Sequence, residues 1–253
     1  MVIHTQYNLL LAIGLCQTNF INDINDIILF KDFNYNNQLA QTIASFFNKR
    51  LIIEGNYPKH NPSVSQKMKK ICEDNGKIRK FISDAYDRVF IVDDSCIQEM
   101  YILKCCKEGN SQVDMAWLED GAIAYFSNGV TSGGMGATPF RRGVRKLFFS
   151  SIFALGECYD LANVMGGHRL LKKIYVTFPK YVRKELNQKE KVFISEQAFE
   201  IGITTLFKDK PVSFKEGCFL IALDKLDVYG DKLGIVNDLI RDEVKNINIQ
   251  HKA

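Results

Sequence analysis

From Val2 to Leu118 the chain alternates short, nearly uninterrupted apolar runs with longer amphipathic stretches, and this pattern leaves few folds open. Strands are expected at residues 2–4, 26–30 (DIILF), 51–54 (LIIE), 88–92 (RVFIV) and 113–118 (VDMAWL). Helices are expected between them, over residues 6–19 with Thr5 as N-cap, 37–47, 63–83 and 95–107. Strands apolar on both faces and separated by helices imply a parallel sheet covered on both sides, a Rossmann-like α/β domain over residues 1–126. Ligands of such sheets sit outside the carboxyl ends of the strands. Three turns qualify: His4-Thr5-Gln6-Tyr7, Asp93-Asp94-Ser95 and Glu119-Asp120-Gly121.

Beyond this domain the pattern changes. Residues 127–143 (SNGVTSGGMGATPFRRG) hold five glycines in seventeen positions and read as a mobile loop. Residues 145–155 then read as an apolar helix or a membrane-leaning segment with a basic start; for Phe148, Phe149 and Phe153 the core reading is preferred over membrane contact, since helical spacing places Phe149 and Phe153 on one face. A strand at 172–178, a helix at 195–207, an apolar strand at 217–224 (GCFLIALD) and a helix at 233–247 complete the expectation. Residues 127–210 are thus expected to form a basic connecting region packed on the first domain, and residues 211–253 to open a second α/β domain.

Charge is uneven. Between Arg141 and Lys189 eleven Lys and Arg stand against three acids, in a chain whose net formal charge is only +4. The rest is therefore net acidic, and the middle segment calls for an anionic partner or forms a solvated basic face. Nucleic acid is not expected, because the aromatics of this stretch (Phe140, Phe148, Phe149, Tyr175, Phe178) accompany no recognised module. No window holds the ~20 apolar residues of a membrane span, and the start is broken by His4, Gln6 and Asn8, so neither a spanning helix nor a secretory signal is expected. The seven cysteines lack CxxC spacing and the four histidines never fall at i, i+4, so no structural zinc site is expected and the thiols read as reduced and cytosolic.

No GxGxxG follows the first strand and no GxxxxGK[ST] occurs, which removes the usual dinucleotide and P-loop signatures. Asp93 and Asp94, consecutive at a strand end, point apart; capping of the next helix by Asp94 or Ser95 is the preferred reading over metal binding. Glu119-Asp120-Gly121 differs in kind. Two acids and a glycine follow a buried strand; a partly desolvated carboxylate there suits a general base for a sugar hydroxyl, and an ordinary surface turn is the competing reading of the same three residues. Trp117 and Tyr125 read as core aromatics, and neither is counted as catalytic.

The segments VIHTQYNLLLAIGL, RVFIVDDS and above all MAWLEDGAIAYFSN resemble bacterial sialyltransferases of the polysialyltransferase and lipooligosaccharide sialyltransferase group. That group shares two acids and a glycine followed by an aromatic, here Glu119, Asp120, Gly121 and Tyr125. The resemblance covers the first half and thins through the basic region. It implies a GT-B fold and an inverting, metal-independent transfer of sialic acid from the donor CMP-sialic acid, without a further cofactor, in capsule or lipooligosaccharide synthesis. It also implies a cytoplasmic protein at the inner face of the bacterial inner membrane. Glu119 would be the base, with Asp120 as alternative or orienting neighbour; Thr5, Gln6, Tyr7 and Asn8 would line the acceptor side, and Arg141, Arg142, Arg145 and Lys146 would hold an anionic glycan acceptor. The group's His-Pro pair is absent: His60 precedes Asn61 and His168 precedes Arg169. Most of the CMP-binding domain is accordingly expected to be missing, and this chain to be inactive by itself. The alternative is a non-catalytic module that binds anionic polysaccharide or a membrane surface through residues 141–189.

Overall fold

The computed structural model describes residues 1–33, 35–55, 63–125, 139–162 and 164–207. Five strands and four helices alternate as the sequence leads one to expect: β1 (Val2–Ile3), α1 (Gln6–Gln17), β2 (Ile27–Lys31), α2 (Asn37–Phe46), β3 (Arg50–Glu54), α3 (Val64–Phe81), β4 (Arg88–Ile91), α4 (Ile97–Gly109) and β5 (Asp114–Leu118). Then follow α5 (Pro139–Ile152), β6 (Lys173–Val176), β7 (Glu190–Phe193) and α6 (Glu196–Leu206). The expected strand at 217–224 and helix at 233–247 lie outside the described residues, as does the proposed second domain.

Among the described residues all strand pairs are parallel. The hydrogen-bonded orders are β1-β2-β3 and β4-β5-β6-β7, and β1 also lies beside β4. Read across both groups the order is 3-2-1-4-5-6-7, in which chain direction of winding reverses between β1 and β4, as in doubly wound nucleotide-binding folds. The chain is thus α/β and Rossmann-like. Residues 173–206 continue the same layers, since β6 extends the sheet from β5 and α6 packs on α1.

Strand periodicity assigns the two faces. Ile28, Phe30, Val89, Ile91, Met115, Trp117, Ile174 and Val176 bury one face under α3 and α4. Their neighbours Ile27, Leu29, Phe90, Val92, Ala116, Leu118 and Tyr175 bury the other under α1 and α6. Sandwiched strands have no polar side, which is why these runs are apolar throughout.

α1 is the most enclosed helix. Every residue from Asn8 to Cys16 is buried, so its apolar residues run around the whole circumference instead of forming a stripe. α6 reaches it closely because two glycines sit at the crossing. A Cβ built on Gly14 would lie 1.9 Å from Ala198 O, and one on Gly202 would lie 2.3 Å from Leu10 O. Both obstacles are backbone and cannot swing aside. Gly202→Ala should therefore cost about 2 kcal/mol or more by forcing the helices apart, read as a fall of about 4–8 °C in thermal unfolding. An unchanged midpoint would show that this crossing is not tight.

α5 begins six residues earlier than the sequence suggested, at Pro139, a residue whose fixed φ suits a first turn. Phe149 and Phe153 face inward, stacking at 6.2 Å beside Tyr159 and Met100, as their spacing implied. Phe148, in contrast, is 48% exposed with Val144, Leu147 and Ile152, so its core assignment is corrected. No helix among the described residues is long and apolar enough to cross a membrane.

Candidate active site

The site begins at the first turn of α1. Thr5 is the N-cap: its Oγ1 accepts from Asn8 N at 3.1 Å, while Asn8 Oδ1 accepts from Thr5 N at 3.1 Å. The Asn8 amide then reaches out of this capping box. Its Nδ2 donates to Glu119 O at 3.2 Å and to Asp120 Oδ1 at 3.1 Å, more than a hundred residues away in sequence. One buried asparagine therefore closes the helix start and fixes the turn after β5. At this helix start, expected to line the acceptor side, the backbone Asn8 N already donates to Thr5 Oγ1.

Glu119 is fully buried at the end of β5. Tyr7 and Tyr125 donate their hydroxyls to its Oε1 and Oε2, Thr177 N donates to Oε2 at 3.0 Å, and Thr177 Oγ1 donates to Oε1 at 2.8 Å. Burial raises its carboxyl above the usual range, and the hydrogen bonds from Tyr125, Tyr7 and Thr177 work against that rise. The same burial, with the adjacent Glu119 charge, pushes the Tyr7 and Tyr125 phenols up, so both remain donors. Asp120 follows as a half-buried carboxylate, and Gly121 turns the chain at φ 58°, a conformation that favours glycine.

Thr5, Tyr7, Asn8, Glu119 and Asp120 thus meet in one place. Gln6, also expected there, is exposed on the first turn of α1. Arg141, Arg142 and Arg145 lie on α5, where their side chains are outside the described residues, and Lys146 is exposed on the same helix. The described anchors of α5, Phe149 and Phe153, pack on Met100 and Tyr159 and not on the Glu119 turn.

One participant was missed, and one does more than expected. Tyr125, the aromatic of the motif, packs against the core as expected and in addition donates its hydroxyl to Glu119 from the end of a short 3₁₀ turn (Gly121–Ala124); Trp117 is core, with Nε1 donating to Val92 O at 2.8 Å. Thr177 enters from the end of β6, and nothing local in the sequence marks it.

The Asp93-Asp94 turn also departs from expectation. Cys96, not Asp94 or Ser95, is the N-cap of α4, and no side chain caps it by hydrogen bonding. Asp93 Oδ1 instead accepts from Ser95 N and Oγ, and Asp94 Oδ2 accepts from His168 N at 2.8 Å. Burial raises the Asp94 carboxyl from 3.8 to about 7, against the hydrogen bond from His168. Below pH 3.8 the acid is protonated folded or unfolded and costs nothing; above about 7 it is charged in both states and the burial penalty is complete. Asp94→Asn keeps an acceptor for His168 N without the charge. Its stability relative to the natural chain should therefore improve between pH 4 and pH 7 in urea unfolding, and a difference independent of pH would refute the shift.

Compared with known proteins, the chain matches no family model, no curated protein and no solved structure.

Proposed function

We propose that this chain is the acceptor-binding part of an inverting glycosyltransferase of GT-B architecture, which moves sialic acid from CMP-sialic acid to an anionic glycan. The observation that carries the reading is the carboxylate pair at the carboxyl edge of β5, joined by Asn8 to the turn after β1. Adjacent acids are held there in different environments, one sealed and one reachable.

That difference assigns the roles. A base must accept a proton from an incoming hydroxyl, and both oxygens of Glu119 already accept from Tyr7, Tyr125 and Thr177. Asp120 is half-buried and steadied by Asn8, so we assign it the proton from the acceptor hydroxyl. The oxygen so freed attacks the anomeric carbon, and CMP leaves from the opposite face with the bonding electrons. Glu119 is a positioning residue that holds Tyr7, Tyr125 and the β6 end around the turn. This reverses the preference for Glu119 drawn from position alone.

A second reading has its own support: a carboxylate wrapped by two phenols and a threonine is also how a purely structural acid is made tolerable in a core. The chain would then bind anionic glycan without chemistry. Incubation with CMP-sialic acid and a sialylated oligosaccharide separates the two, with CMP release and glycan binding measured together. CMP release that falls at least about 100-fold in Asp120→Asn, with Glu119→Gln less affected at equal folding, is the expected result. Glycan binding without CMP release supports the second reading, and neither activity nor binding refutes both.

A further inference from the structure

We propose that His4, Cys96 and Glu99 form a zinc site at the switch point of the sheet, where the winding reverses between β1 and β4. This inference is independent of the glycosyltransferase reading, which concerns the end of β5. Two elements bring three residues together here: His4 directly follows β1, Cys96 is the N-cap of α4, and Glu99 lies in the first turn of that helix. Their candidate ligand atoms all lie within 4.8 Å of one another.

The imidazole is set up as a ligand. Its Nδ1 is 2.8 Å from Asp32 Oδ2, at the end of β2, and its face stacks on Phe30 at 4.3 Å, which together fix the ring plane. With Nδ1–H donated to that carboxylate, Nε2 carries the lone pair, the carboxylate–histidine arrangement that commonly backs a metal ion. Nε2 is buried, lies 2.9 Å from Glu99 Oε1, and makes no aligned hydrogen bond. The nitrogen therefore sits inside the protein, aimed between a carboxylate and a thiol, without the hydrogen bond a buried nitrogen ordinarily finds.

Glu99 cannot turn away. Its Oε2 accepts from Val92 N at 2.8 Å and its Oε1 from Asp93 N at 3.0 Å, so the backbone leaving β4 clamps it in place while a further lone pair on Oε1 remains for a cation. Cys96 Sγ donates to Gln98 Oε1 at 3.4 Å, and burial beside Glu99 and Asp93 holds the thiol protonated until a cation replaces the proton. The pocket favours positive charge, because Asp32 Oδ2 and Glu99 Oε1 stand 2.8 and 2.9 Å from the two ring nitrogens. A divalent cation meets the same demand with three ligands instead of a proton.

Zinc fits the donor set, one imidazole nitrogen, one thiolate and one carboxylate, and its bonds of about 2.0–2.3 Å require modest movement. The His4–Glu99 gap opens by a few tenths of an ångström and the thiol moves in by about 1 Å. Binding releases the thiol proton, and the Nε2 proton of a protonated His4 ring, to solvent, and water completes the tetrahedron. The sequence rule that argued against zinc looks for ligands paired along the chain; these are brought together by the strand order.

The test uses the full chain, stripped with a chelator and titrated with zinc or cobalt(II). The expected result is one tightly bound equivalent, with a thiolate-to-cobalt charge-transfer band that disappears in Cys96→Ser. Asp32→Asn should weaken zinc binding about 10–100-fold while leaving all three ligands. Zinc should also shield Cys96 from alkylation in the unaltered chain, mapped by mass spectrometry, which needs no variant to fold. Absence of stoichiometric binding, persistence of the band in Cys96→Ser, or alkylation of Cys96 unaffected by zinc would each overturn the site and leave His4 as a protonated bridge between two carboxylates.

Discussion

Burial of α1 on all sides is the constraint from which the site follows. A helix with Leu9 to Cys16 enclosed can neither slide nor rotate between the sheet and α6 without moving many side chains at once. Its first turn is held by the Thr5–Asn8 box, so Tyr7 and Asn8 reach the turn after β5 from a fixed base. Precision at Glu119 and Asp120 is thus supplied by apolar packing a full turn or more away. The glycines at positions 14 and 202 serve the same end, since they let α6 close the outer side of α1 by backbone contact.

How much of this is legible in the sequence depends on whether the governing forces are local. Alternating apolar runs declare β1, β2, β4 and β5 because these strands are buried on both faces, and β3 is declared by its apolar centre Leu51-Ile52-Ile53 although Arg50 and Glu54 are exposed. β7 was missed for the converse reason: Glu190-Lys191-Val192-Phe193 is an edge strand, half-exposed and polar, held by its ladder to β6. The start of α5 was hidden because Gly and Thr run up to Pro139 and resemble a loop. The acidic pair could be seen beside its strand, whereas Thr177 and the link from Asn8 are products of parallel pairing and helix placement, which no short window contains. His4, Cys96 and Glu99 are invisible for the same reason: β1 and β4 are neighbours only after the chain has wound outward and returned.

The basic middle segment shows how a charge count can mislead. Several of its cations are committed inside the structure. Lys173 pairs with Asp114 at 3.0 Å, Arg183 is buried against Glu185, Arg169 donates to Glu157 O at 2.7 Å, and Lys189 donates to His168 O and Leu171 O. These fasten β6, the turn at residues 164–171 and the approach to β7. The cations left to meet an anion from outside are those such as Lys146, Lys172, Lys180 and Lys184, which are exposed. A surplus read along the chain is therefore partly the cost of holding irregular segments down with long cationic side chains, and a smaller share bears on binding.

Two neighbouring carboxylates can do different work only if their surroundings differ. Were Glu119 and Asp120 equally exposed, each would titrate near its ordinary value and neither would be poised. Were both sealed, one would be held protonated by the other and by burial, and no substrate would reach it. The glycine turn prevents either case, because Gly121 bends the chain after Asp120 while Glu119 is still within the sheet layer. The phenols of Tyr7 and Tyr125 then stabilise the sealed anion and, in doing so, fix the wall beside which the reachable one stands. The order acid, acid, glycine after a buried strand thus separates two environments: the first residue is sealed and anchors the turn, the second stands half-buried beside it, and the third takes the positive φ of the change of direction.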